Sequence, residues 1–257
     1  MLKLNLKIMF RFKTKETDTR ARKDDIFHHA GAIVVECVGP PGSGKTTNCK
    51  SFSGLLKKKN LNVCLSDDLK AYIRKMSKAR KLLLLAETLV LRGHLLLFYT
   101  AALAFNKIYS FDSIYRYLRL SIFNQALQKF IKNKEVDIVL LDQWIIQELW
   151  SATIFKLPTY TKVKDHLKPF YFKTDFVLYF DIAAETASER ISNRATRLSR
   201  FDLMGPDKRL EELLKYNGYL FELYQNSGCK QKHLFTTDQI PDQNAEKFFQ
   251  HLKKFTK

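Results

Sequence analysis

Lys45 and Thr46 close the run Gly39-Pro40-Pro41-Gly42-Ser43-Gly44-Lys45-Thr46, which fits the pattern G-x-x-x-x-G-K-[ST]. The chemistry this spacing serves is the holding of a polyphosphate. Glycines let successive backbone N–H groups turn inward as a nest for an anion, and a helix starting near Gly44 adds the positive end of its dipole. Lys45 is expected to reach the β and γ oxygens of ATP. The Thr46 hydroxyl is expected to complete the shell of a Mg²⁺ ion that travels with the nucleotide, and Thr47 to continue the cradle into the helix.

Three further groups of residues could act on such a ligand. Asp137-Ile138-Val139-Leu140-Leu141-Asp142 runs four apolar residues into a carboxylate, so Asp142 is the expected second Mg²⁺ residue. A helix N-cap is the alternative use of Asp142. Asp67 and Asp68 follow the run Leu61–Ser66, where either is expected to orient an acceptor hydroxyl or, alternatively, to cap the next helix. Arg190, Arg194 and Arg197 fall at spacings of four and three, which a helix would project from one face. Planar guanidinium forks suit the charge spread over a transferring phosphoryl group, so this stretch reads as an Arg-rich lid, with a solvated basic helix as the plainer reading.

The elements that must position these residues alternate as strand and helix. Ala32–Val38, Leu61–Ser66, Val136–Asp142, Asp175–Asp181 and Lys232–Thr236 are short, apolar and rich in β-branched or aromatic residues, and helical patterns separate them. This predicts an α/β fold with a five-stranded parallel sheet flanked by helices. Between the second and third strands lie about 70 residues of helical pattern, more than a crossover needs, which predicts a helical substrate-side insertion. Its leucine and aromatic density reads as core packing, with the lining of an apolar substrate pocket as the sharper alternative.

The chain has 257 residues, 46% of them hydrophobic, enough for one large α/β domain over 31–257. Residues 1–30 differ. Leu2, Leu4, Leu6, Ile8, Phe10 and Phe12 alternate with mostly basic residues, then a charged stretch without apolar periodicity follows. A disordered basic leader, an edge strand and a membrane-surface contact all fit that pattern. The net charge of +18 favours anionic partners, but no nucleic-acid signature is present and none is expected as a partner. The four cysteines show no paired spacing and no metal-ligand histidines nearby, which points to a reducing cytoplasm.

With these pieces in place the chain resembles the thymidylate kinase family of P-loop nucleoside monophosphate kinases, from about Ile33 to Phe255. Val34-Val35-Glu36 through Gly39 to Thr47 is similar to that family's first strand and phosphate loop, and Leu140-Leu141-Asp142 stands in the place of its Asp-Arg motif. Leu178-Tyr179-Phe180-Asp181 with Ala183 to Arg194 is similar to its fourth strand and lid, Tyr216 to Tyr224 to its late helix, and Phe235-Thr236-Thr237-Asp238 to its last strand.

The resemblance implies a P-loop NTPase fold and a kinase using ATP and Mg²⁺ on a small-molecule phosphoryl acceptor, and it admits a homodimer. Two departures bear on the acceptor. Gln143 stands where relatives place an arginine that grips the acceptor's phosphate, and Ser66-Asp67-Asp68-Leu69 replaces their Glu-Pro-Gly-Gly stretch. A nucleotide-like acceptor is therefore expected alongside a nucleoside, sugar or other hydroxyl compound. An ATPase or switch acting on a macromolecule is the reading from another class. Gln143 in place of a water-activating Glu, and Asn133-Lys134-Glu135-Val136 in place of a guanine-reading motif, speak against it.

Overall fold

Strand residues alternate between two apolar faces, and that alternation builds the core. The computed structural model describes residues 31–105, 111–153, 174–195, 199–229, 231–236 and 239–255. In β1 (Ile33–Val38), Ile33, Val35 and Cys37 point to one side of the sheet and Val38 to the other. The same division holds in β3 (Ile138–Leu141), and in β4 (Phe176–Asp181), where Phe176, Leu178 and Phe180 face away from Val177 and Tyr179. A strand apolar on both faces belongs to a parallel sheet covered on both sides.

With β2 (Val63–Leu65) and β5 (Gln231–Thr236) these form one five-stranded, all-parallel sheet in the order β2-β3-β1-β4-β5. Every strand expected from the sequence is present. The second is shorter than Leu61–Ser66 because α2 (Ser66–Lys75) begins at once.

One face is covered by α1 (Lys45–Lys58) and α8 (Pro241–Phe255). Phe52 of α1 is fully buried there, stacked on Phe248 at 5.0 Å and tilted against Phe180 and Phe235 at 6.1 and 6.0 Å. Burying one such ring stabilises the fold by roughly 1.5–3 kcal/mol.

The opposite face is covered by α4 (Phe111–Lys134), α5 (Ile145–Thr153), α6 (Ala184–Ser192) and α7 (Pro206–Gln225). Trp150 of α5 ties two of these together, its indole N–H donating to the Tyr216 carbonyl at 3.2 Å while its ring stacks on Phe201 of the short 3-10 turn Arg200–Leu203.

The expected insertion is α2, α3 (Lys78–Phe105) and α4. Among its described residues Leu84, Thr88, Tyr117 and Leu120 are buried, whereas Leu82, Leu83, Leu89, Val90 and Leu97 are exposed. The reading of that leucine density as core packing thus holds for Leu84 and is corrected for the exposed Leu82, Leu83, Leu89, Leu91 and Leu97. Among the described residues no helix is long and apolar enough to cross a membrane. The leader, residues 1–30, lies outside the described residues.

Candidate active site

In an open parallel sheet, ligands are met at the carboxyl ends of the strands, where the strand order reverses. Here β1 lies between β3 and β4, so the segments after these three strands converge. The β1–α1 loop, Gly39 to Gly44, is backbone in close quarters. Gly42 has φ +89°, and a Cβ there would stand 2.7 Å from the Ala187 carbonyl oxygen of α6. Gly44, the N-cap of α1, has φ +75° and offers no side chain, so no side chain caps the first amides of α1.

Lys45 curls back over the loop. Its ammonium donates to the Gly39 carbonyl at 2.6 Å, the Pro40 carbonyl at 2.9 Å and Ser43 Oγ at 3.3 Å. Burial pushes its pKa down to about 8, opposed by the Asp142 carboxylate and reinforced by the Arg194 guanidinium. Lys45, Asp142 and Arg194 therefore share one electrostatic neighbourhood.

Thr46 and Asp142, 96 residues apart in sequence, meet there: Thr46 Oγ1 donates to Asp142 Oδ2 at 2.8 Å. The Asp142 amide donates to Ser66 Oγ at 3.1 Å, which locks the end of β3 to the start of α2. Asp142 Oδ1 is buried and has no hydrogen-bond partner. Such an oxygen beside an exposed threonine hydroxyl fits a hard cation that takes its other ligands from phosphate and water. Among the described residues no three His, Cys, Asp or Glu side chains cluster as a metal site of their own.

Asp142 does not cap α5; a carboxyl from β1 reaches it instead. Glu36, 1% exposed, accepts from the Ile146 amide at 2.7 Å and the Gln147 amide at 3.4 Å. Gln147 Oε1 in turn accepts from the Gly39 amide at 3.4 Å, so the first turn of α5 braces the loop. Burial drives the Glu36 pKa from 4.5 up to about 8, beyond what those two amides can offset.

With the folded-state pKa raised, the folded protein holds a proton that the unfolded chain has lost, and the stability this provides disappears as pH rises from about 4.5 towards 8. Between pH 5.5 and 8.5 the urea midpoint is expected to fall more steeply in the wild-type protein than in Glu36→Gln. Parallel pH profiles for the two would refute the assignment.

Between α4 and α5 lie charged residues that no sequence motif marked. Glu148 of α5, 7% exposed, pairs with Arg116 at 3.3 Å and with Arg119, both from α4. Arg116 also binds Asp112 at 2.8 Å, and Arg200 approaches Asp112 at 3.9 Å while donating to Ser151 Oγ at 2.7 Å. Three guanidiniums face two carboxylates, one positive charge in excess. Burial and the neighbouring Arg116 push the Arg200 pKa below its ordinary value. Glu148 follows Gln147 in α5, and Gln147 touches the loop.

The other expected residues fall as follows. Asp68 Oδ2 accepts from the Leu65 amide at 2.9 Å and caps α2, the alternative use noted for it; Asp67 pairs with Lys70 at 3.1 Å and is 74% exposed. Ser66 is the residue of this turn that reaches Asp142. Arg190 is exposed on α6, but α6 ends at Ser192, so the expected single helical face of arginines is not continued. Arg194 lies beyond that end, 3.7 Å from Asp202, and Arg197 lies outside the described residues.

The helix stops where Arg209, 5% exposed, donates to the Ser188 carbonyl and Ser192 Oγ, placing a cation at the negative end of the dipole. Neither a scan against protein-family models nor a search of curated proteins finds a match to this chain.

Proposed function

We propose that this chain is an ATP-dependent small-molecule kinase of the P-loop type, transferring the γ-phosphoryl group of MgATP to a nucleotide-like acceptor. The observation that carries this reading is the Thr46–Asp142 hydrogen bond beside the Lys45 ammonium, with a second, unpartnered Asp142 oxygen. Thr46 and Asp142 would hold Mg²⁺, which when bound neutralises charge on the β- and γ-phosphates. The uncapped amides at the start of α1 would receive the phosphate oxygens. Lys45 would exchange its bonds to loop carbonyls for phosphate oxygens, and Arg194 would add charge from the lid side. The new bond joins an acceptor oxygen to phosphorus as the bond to the β-phosphate bridging oxygen breaks and ADP leaves.

Arg116, Arg119 and Arg200 favour an anionic acceptor over a neutral one. They offer planar donors in place of the clamp that Gln143 cannot be. A reducing cytoplasm suits the four free, buried cysteines.

The test is ADP formation with MgATP and a panel of nucleoside monophosphates, nucleosides and sugars. ADP appearing only with one class of acceptor supports the reading; a rate indifferent to acceptor in every case defeats it. Arg119→Ala leaves Glu148 its Arg116 partner, so it is expected to raise the acceptor KM by about tenfold, the worth of one charged hydrogen bond, and to leave the KM for ATP unchanged. Equal changes in both constants would remove Arg119 from the acceptor side.

A further inference from the structure

Strand β2 is the outer strand of the sheet, and it borders a cavity of about 900 Å³. Lys57 and Asn60 line it from the end of α1, Tyr72 and Phe130 from α2 and α4 on the opposite face of the sheet, so the space wraps the strand's free edge. It reaches Asn62 and Val136, which precede β2 and β3, at the other end of the sheet from the glycine-rich loop. A volume of that order holds a small molecule.

The backbone at this edge is selective. The Ile138 amide donates to the Asn62 carbonyl at 3.1 Å, and in a parallel pair such bonds come from alternate residues, so Val63 turns its N–H and C=O to the open side. Its neighbours of the same parity have no amide left to offer: Leu61 donates to the Leu56 carbonyl at 3.2 Å and Leu65 to Asp68 Oδ2 at 2.9 Å. An added peptide strand needs a row of such groups. One donor beside one acceptor suits the edge of a single heterocycle. Tyr72 and Phe130, both half-buried and edge to face at 5.1 Å, add an aromatic wall for a flat ring.

The cavity is also basic. Lys57, Lys75 and Lys134 line it against the single carboxylate of Asp68. Each lysine stands in the last turn of its helix, where the dipole favours a cation. That accounts for each one singly and not for their meeting at one cavity. Among the described residues none of the three is paired with a carboxylate. Three ammoniums less one carboxylate leave two positive charges, the complement of a phosphate monoester near neutral pH.

We propose that this cavity is a second ligand site, separate from the glycine-rich loop, for a nucleoside monophosphate. The base lies against Tyr72 and Phe130 and exchanges hydrogen bonds with the Val63 backbone, while the phosphate is held among Lys57, Lys75 and Lys134.

Titration of the ¹⁵N-labelled full chain with AMP in EDTA, followed through its amide resonances, tests this. AMP is the probe because its purine edge carries an acceptor beside a donor. The Val63, Tyr72 and Lys134 amides are expected to shift along one saturable curve, distinct from any curve that moves Gly42 and Gly44. Lys75→Glu combined with Lys134→Glu is expected to weaken the first curve tenfold or more and leave the circular dichroism unchanged, since both side chains are exposed.

Adenosine and ribose 5-phosphate, each lacking half of the ligand, are expected to bind at least tenfold more weakly than AMP. Inorganic phosphate that binds as well as AMP would reduce the cavity to a patch for any anion and overturn the proposal. Val63 and Tyr72 amides unmoved at high AMP overturn it too. A hexaglutamate peptide that moves the same amides at lower concentration than AMP would give the edge to an acidic segment of a partner instead. The kinase reading is judged by ADP formation, so either can fail alone.

Discussion

Lys45→Ala is expected to lower turnover by a factor of about a thousand or more while leaving the fold in place. The reason lies in what the ammonium touches. Its partners are two carbonyls and a hydroxyl of the loop itself, and no core residue leans on it. Those carbonyls can take water once the side chain is gone. A phosphoryl group held by that ammonium would have no such substitute.

The same residue sets an alkaline limit. With its pKa lowered to about 8 by burial, the charged form of the free protein is lost as pH rises through that value, two units or more below an ordinary lysine. A fall in kcat/KM above pH ~8 that follows a single ionisation is expected. A Lys45→Ala protein with unimpaired turnover, or one that fails to fold, would end the assignment.

Asp142→Asn is expected to move activity and stability in opposite directions. Asparagine keeps the size of the side chain and an oxygen for the Thr46 hydroxyl, so the 2.8 Å hydrogen bond survives. What is removed is a negative charge, one of whose oxygens is buried without a partner. An unsatisfied buried oxygen costs stability, and neutralising it is expected to hold or raise the urea midpoint.

Turnover is expected to fall about a hundredfold or more, with a higher Mg²⁺ concentration needed for what remains. Asp142 also favours the Lys45 ammonium, so the alkaline limb of the pH profile should move to lower pH in Asp142→Asn. A variant that loses stability and keeps its Mg²⁺ response would mark Asp142 as a structural residue.

Some of this is readable along the chain because it is written locally. Each β-branched run became a strand, since alternation and apolarity within six or so residues are enough to specify a buried parallel strand. Gly39 to Gly44 is a turn between strand and helix for the same reason. Asp142 at the end of β3 follows from four apolar residues ending in a carboxylate.

The arginine spacing misled because a helix continues only while its terminus is unplugged. Arg209, seventeen residues beyond Ser192, fills the acceptors at the end of α6 and stops it there. Nor is the capping of α5 written near α5. The carboxyl that does it is Glu36, 110 residues earlier, a residue whose only local signal is an acid inside an apolar strand.

The sequence by itself determined the strands, the helices, the glycine-rich turn and the kinds of side chain offered at each strand end, because these depend on short-range sterics and on periodicity. The tertiary structure alone decided which ends meet. The order β2-β3-β1-β4-β5 sets β3 beside β1 and so brings Thr46 to Asp142; it also seats α5 under Glu36 and against the α4 arginines. Pairings of that kind arise from the packing of whole layers, where a contact is chosen by burial and charge across the fold and leaves no trace in the residues that lie next to it in the chain.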